Sequence, residues 1–159
     1  MKKKIILFLS VLALSVLLTG CGKDPKQSKF EQDIQTFCDE IAAIDANINN
    51  IDASSETATY ELLAYLDQLD QSFQALAQMS IPEEYAYLEE LTTDASSYMT
   101  TAVASYHDAF EGETYDTAVA EYARENYERA YKRITVMLKL LRGEDITGDG
   151  VVIEETVAK

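Results

Sequence analysis

The chain has 159 residues, with 13 Lys and Arg against 28 Asp and Glu, a formal net charge of −15 and a pI near 4.3. That length suits one domain with a sizeable core, and the acidity excludes nucleic acid as a partner, because nothing here could neutralise a run of phosphates. Hydrophobic residues make up 47% of the chain, too many for a disordered acidic tail.

Lys2, Lys3 and Lys4 open the sequence, and an apolar run from Ile5 to Leu18 follows, broken only by Ser10 and Ser15. The run is shorter than the roughly 20 residues a permanent membrane-spanning helix needs. With its basic flank it reads as a cleavable signal peptide, residues 1–20. Leu18-Thr19-Gly20-Cys21 comes next. This stretch resembles the lipobox of bacterial lipoproteins: Leu, a small residue, Gly, then the Cys that is acylated and becomes the mature N-terminus. The resemblance implies lipidation of Cys21 and a membrane partner reached through that lipid. It implies an exported protein on the outer face of the cell membrane, or on the outer membrane of a two-membrane source, since Gly22 is not the Asp of inner-membrane retention.

Residues 21–29 read as a polar, lipidated tether. From Phe30 the apolar positions are Phe30, Ile34, Phe37, Ile41, Ile44, Ile48 and Ile51, alternating spacings of four and three as a heptad seam does. Asn49 and Asn50 end this helix, and Asp52-Ala53-Ser54-Ser55 offers N-caps for the next. Leu62, Leu66, Leu69, Phe73, Leu76 and Met79 repeat the rhythm. A turn at Ser80-Ile81-Pro82 precedes Glu83 and Glu84, which suit a helix start, Pro because its missing N–H costs nothing there.

The third stripe runs through Leu88, Leu91, Ala95, Tyr98, Ala102 and Ala109, flanked by Met99, Val103, Tyr106 and Phe110, with Gly112 as its stop. The fourth runs through Ala120, Ala123, Tyr127, Ala130, Ile134, Met137 and Leu141, with Gly143 where a C′ glycine belongs. Short connections force antiparallel neighbours. The expected fold is all-α: an antiparallel up-down-up-down four-helix bundle over residues 30–142, with a polar flexible tail at 143–159. A three-helix bundle with one long broken helix is the alternative.

No Lys or Arg occurs from Phe30 to Ala123. Removal of Lys2, Lys3 and Lys4 with the leader leaves 10 positive against 28 negative side chains, a net charge of −18. In an up-down-up-down topology Lys23, Lys26 and Lys29 meet Lys139 and Arg142 at one end, which the lipid on Cys21 would hold at the membrane as a basic base. Asp45, Asp52, Glu56, Asp108, Glu111, Glu113 and Asp116 would then populate an acidic distal end. Basic residues in a last turn also complement the helix dipole, and Glu83, Glu84, Glu89 and Glu90 start the third helix at that same base.

Catalytic residues are not expected. Cys38 lies between Ile34 and Ile41, as a small buried hydrophobe does, and several helical turns separate it from His107. His107 has Ala104, not Glu, three positions earlier, so the Glu-x-x-His motif of di-iron bundles is missing. It reads as a surface or rim histidine. Most of the ten tyrosines should be core or core-edge residues whose hydroxyls reach water. Asp145-Ile146-Thr147-Gly148-Asp149-Gly150-Val151-Val152 resembles the first half of an EF-hand or dockerin calcium loop, with Asp145, Thr147 and Asp149 as ligands. Thr156 stands where the bidentate acid belongs. No other cofactor is implied.

These features describe a membrane-anchored surface lipoprotein whose helical bundle binds a protein or cell-envelope partner. Its mature part resembles the small helical-bundle lipoproteins of bacteria. One alternative is a cation-binding or sensing protein using the acidic surface or the calcium-like loop 145–156. Another is a carboxylate- or metal-dependent enzyme.

Overall fold

In the computed structural model the described residues are 24–112, 114–144 and 146. They form four α-helices: α1 (Pro25–Asn49), α2 (Ala58–Ala77), α3 (Glu89–Glu111) and α4 (Thr117–Leu141), with a short 3-10 segment (Glu83–Leu88) leading into α3. There is no strand among them. Successive helices run antiparallel, giving the up-down-up-down bundle and not the three-helix alternative.

Helix α1 begins five residues before the expected boundary at Phe30. The Asp24 carboxylate accepts from the Lys26 amide at 2.8 Å, and Pro25 occupies the first helical turn. The expected tether through Lys29 is therefore helical from Pro25 onward. The second cap also differs. Residues 51–57 fold as a turn in which Asp52 accepts from the amide and hydroxyl of Ser54, at 2.9 and 2.6 Å. Helix α2 starts only at Ala58, and its preceding Thr57 makes no side-chain cap. That hydroxyl is taken by Glu61.

Helix α4 is well ended at both sides. Asp116 caps it by accepting from the amides of Ala118 and Val119 at 2.9 and 3.1 Å. At its C-terminus Gly143 adopts a φ of 68°, its amide donates to the Leu140 carbonyl, and the Glu144 amide donates to that of Lys139. This is a Schellman motif, and Gly143 fills the left-handed position without a Cβ penalty.

The core is continuous and apolar. Phe30, Ile34, Phe37, Ile41 and Ile44 of α1 meet Leu66, Leu69, Phe73 and Leu76 of α2, Met99 and Val103 of α3, and Ile134 and Met137 of α4. Helices α3 and α4 are the most closely packed pair. Ala95, Ala102 and Ala109 recur every seven residues on α3, Ala123 and Ala130 do so on α4, and all five are fully buried. Small side chains on both faces let the two backbones approach. Aromatic rings link the other helices across the core: Phe37 of α1 meets Phe73 of α2 at 5.3 Å, and Phe73 meets Tyr131 of α4 at 5.7 Å between centroids.

Candidate functional site

Asp45, placed with the distal acids on charge alone, is instead 9% exposed and faces the α1–α4 seam. Tyr127 and Tyr131, one turn apart on α4, donate their hydroxyls to its two oxygens at 2.9 and 2.8 Å. Their rings stack at 4.8 Å. Burial raises the Asp45 pKa, and the hydrogen bonds from Tyr131 and Tyr127 oppose that shift. Burial likewise raises the pKa of both phenols, with the Asp45 charge adding to it. Each oxygen of the Asp45 carboxylate accepts from a different tyrosine of α4, so this cluster ties α1 to α4.

Other residues singled out in the sequence fall apart from one another. Cys38 is buried in α1, and burial, with the Asp39 charge second, pushes its thiol up to about 11. His107 does not reach it; its Nε2 hydrogen-bonds Asp67 of α2 at 2.8 Å. Beside that pair Thr100 donates to Asp70 at 2.6 Å, so the α2–α3 face is a polar seam. Among the described residues no group of three or more His, Cys, Asp or Glu side chains could hold a metal ion. Cys21, Lys23, Glu113 and the calcium-like ligands Asp145, Thr147 and Asp149 lie outside the described residues.

The two ends of the bundle differ. At the base the Phe30 ring stacks on Tyr85 of the 3-10 segment at 5.2 Å, and Tyr85 donates to Glu31 at 2.8 Å. Lys26, Lys29, Lys139 and Arg142 share this end with Glu83, Glu84, Glu89 and Glu90. Lys29 pairs with Asp33, and Arg142 pairs with Glu144 at 2.7 Å. The basic side chains are thus interleaved with acids. An open groove of about 420 Å³ beside them is lined by Ala86, Tyr87, Glu89, Glu90, Thr93 and Asp94. Asp94 is paired with Arg133 at 3.1 Å.

At the distal end the side chains are aromatic and acidic. Tyr60 at the start of α2 is 77% exposed, Tyr115 in the α3–α4 connection 47%, and Tyr122 in the first turns of α4 53%. The Phe110 ring lies 4.9 Å from that of Tyr115. Composition could not have told these tyrosines from the buried pair. Helical periodicity did mark Tyr127 as core. No protein-family model, curated protein or solved structure matches the chain.

Proposed function

We propose that the protein is a lipid-anchored surface lipoprotein whose four-helix bundle is a non-enzymatic binding domain. The observation that carries this reading is the order of features in residues 1–21: three lysines, an apolar run too short to span comfortably, then Leu18-Thr19-Gly20-Cys21. Among the described residues no helix is long and apolar enough to cross a membrane.

The early start of α1 sharpens the geometry of such an anchor. Only Gly22, Lys23 and Asp24 separate Cys21 from the helix, and three residues reach at most about 11 Å. The base of the bundle would stand close to the bilayer. A 25-residue helix would carry the opposite end roughly 37 Å outward. The binding half of the reading is supported by the continuous apolar core, which leaves no cluster of inward-facing carboxylates from three helices among the described residues.

Metabolic labelling with a radioactive fatty acid in a bacterial host tests the anchor. Label should enter the wild-type chain and be lost in Cys21→Ala, with the variant leaving the membrane fraction. Label retained by Cys21→Ala would overturn the proposal.

A further inference from the structure

Among the described residues, four large hydrophobic side chains are strongly exposed: Tyr60, Tyr87, Tyr115 and Tyr122. Three of them gather at the distal end. The Asp67–His107 contact sets the antiparallel register of α2 against α3, and two turns further along Tyr60 comes level with the α3–α4 connection that holds Tyr115. Tyr122 lies one turn into α4 from that connection. Partly buried Phe110 backs Tyr115, and the topology places Tyr60 and Tyr122 at this same end, an aromatic tip of the bundle. Monomeric surfaces seldom expose several large rings together without a partner.

Charge decides the kind of partner. Asp52, Glu56, Glu61, Asp108, Glu111, Asp116 and Glu121 fall at this end of the bundle, against Arg124 in the first turns of α4, which is paired with Glu128. A second copy would bring two such ends together on chains of net charge −15, and an anionic headgroup surface would be repelled. A cationic segment gains from both features, because guanidinium and ammonium groups are drawn to ring faces as well as to carboxylates. The molecule already uses this mode internally. Arg129 and Arg133 lie 5.9 and 5.7 Å from the centroid of the Tyr98 ring, and Arg133 also pairs with Asp94 at 3.1 Å.

We infer that the aromatic, acidic tip formed by Tyr60, Tyr115 and Tyr122 is a docking surface for an Arg- and Lys-rich polypeptide segment. The inference rests on the reading of the bundle as a binding domain and is independent of the anchor.

The test uses the full chain purified in detergent, with a fluorescent oligo-arginine peptide as probe and anisotropy as readout. Three sets of variants are compared with wild type. One is the triple variant Tyr60→Ala, Tyr115→Ala, Tyr122→Ala; one is Tyr87→Ala at the base. The third sets the charge pair Asp108→Asn, Glu111→Gln at the tip against Glu83→Gln, Glu84→Gln at the base. The substituted tyrosines are exposed, and circular dichroism verifies that each variant keeps its helices.

Binding at low salt should weaken by about tenfold or more in the triple variant, since each exposed cation–π contact contributes a few-fold. The tip charge pair should also weaken it, whereas Tyr87→Ala and the base charge pair should leave it within about twofold. No binding, equal losses from tip and base substitutions, or displacement of the peptide by a neutral oligosaccharide would each overturn the inference. Tip-dependent self-association in sedimentation would do the same. Peptide binding that survives in an unlabelled chain would remove the anchor alone, and a labelled chain that ignores the peptide would remove the docking surface alone.

Discussion

Asp45 is the residue whose position most departs from its chemistry. It sits seven residues after Cys38 on α1, and both are buried, so the two mark the same flank of the helix. That flank meets Tyr127 and Tyr131, whose four-residue spacing puts both hydroxyls on one carboxylate. The pattern was present in the sequence. A charged residue beside a heptad seam is usually solvated, however, and only the facing tyrosines show otherwise. Because burial raises the Asp45 pKa, its contribution to stability is fully present below the ordinary carboxylate value near 3.8 and is lost as pH rises through the raised value. Asp45→Asn keeps the shape without the charge; its oxygen can accept from one tyrosine, while the other hydroxyl must turn to accept from its amide N–H. Urea denaturation of the two chains should show the variant gaining on wild type between acid and neutral pH, and a pH-independent difference would contradict this account. Cys38 is the companion case. With its thiol pushed up to about 11 and its side chain buried, it should react with a disulfide reagent in Cys21→Ala only after unfolding. Rapid reaction in the native state would show that α1 opens readily.

The helices themselves were largely legible, because apolar periodicity sets the face each one buries. Their ends were less so. Asp24-Pro25 is a strong start signal, yet the apolar stripe does not begin until Phe30, and pattern alone sets the boundary there. Thr57 makes no side-chain cap because its backbone is already helical, at φ −94° and ψ −4°, instead of extended as an N-cap requires. Gly143, by contrast, was readable as a C′ residue, and the Schellman bonds follow from it. A Cβ at Gly143 would meet nothing within 4 Å, so the cost of Gly143→Ala is conformational only. Thermal unfolding should show a loss of about 1–2 kcal/mol. Helices α3 and α4 depend on size rather than conformation. Ala102 is fully buried between them, and Ala102→Leu should cost about 1–3 kcal/mol by overpacking. The same substitution at exposed Ala104 should be nearly neutral. If both were neutral, the close α3–α4 contact would not exist in solution.

At the scale of the whole molecule, antiparallel topology converts a linear arrangement of charge into two unlike ends. Topology was accessible from loop lengths and stripe count, so the meeting of Lys26 and Lys29 with Lys139 and Arg142 at one end could be anticipated. Which charges pair was less accessible. Lys29 turns to Asp33 and Arg142 to Glu144, so the base is mixed in sign. The acidic end keeps its excess because α1, α2 and α3 carry no Lys or Arg after Lys29, and Arg124 of α4 is paired with Glu128. Tyrosines on that end were recognisable as residues but not as a group, since only folding brings Tyr60 level with Tyr115. The same topology links the proposed anchor to the proposed docking tip. A lipid on Cys21 would set the base near the bilayer and turn the aromatic end away from it. Everything in that orientation hangs on the N-terminus of the mature chain. Mass spectrometry of the N-terminal peptide from the membrane fraction of a bacterial host tests it most directly. The account predicts a peptide that begins at Cys21 and carries the mass of a diacylglyceryl group; a peptide that runs from residues before Cys21 through an unmodified thiol would contradict it.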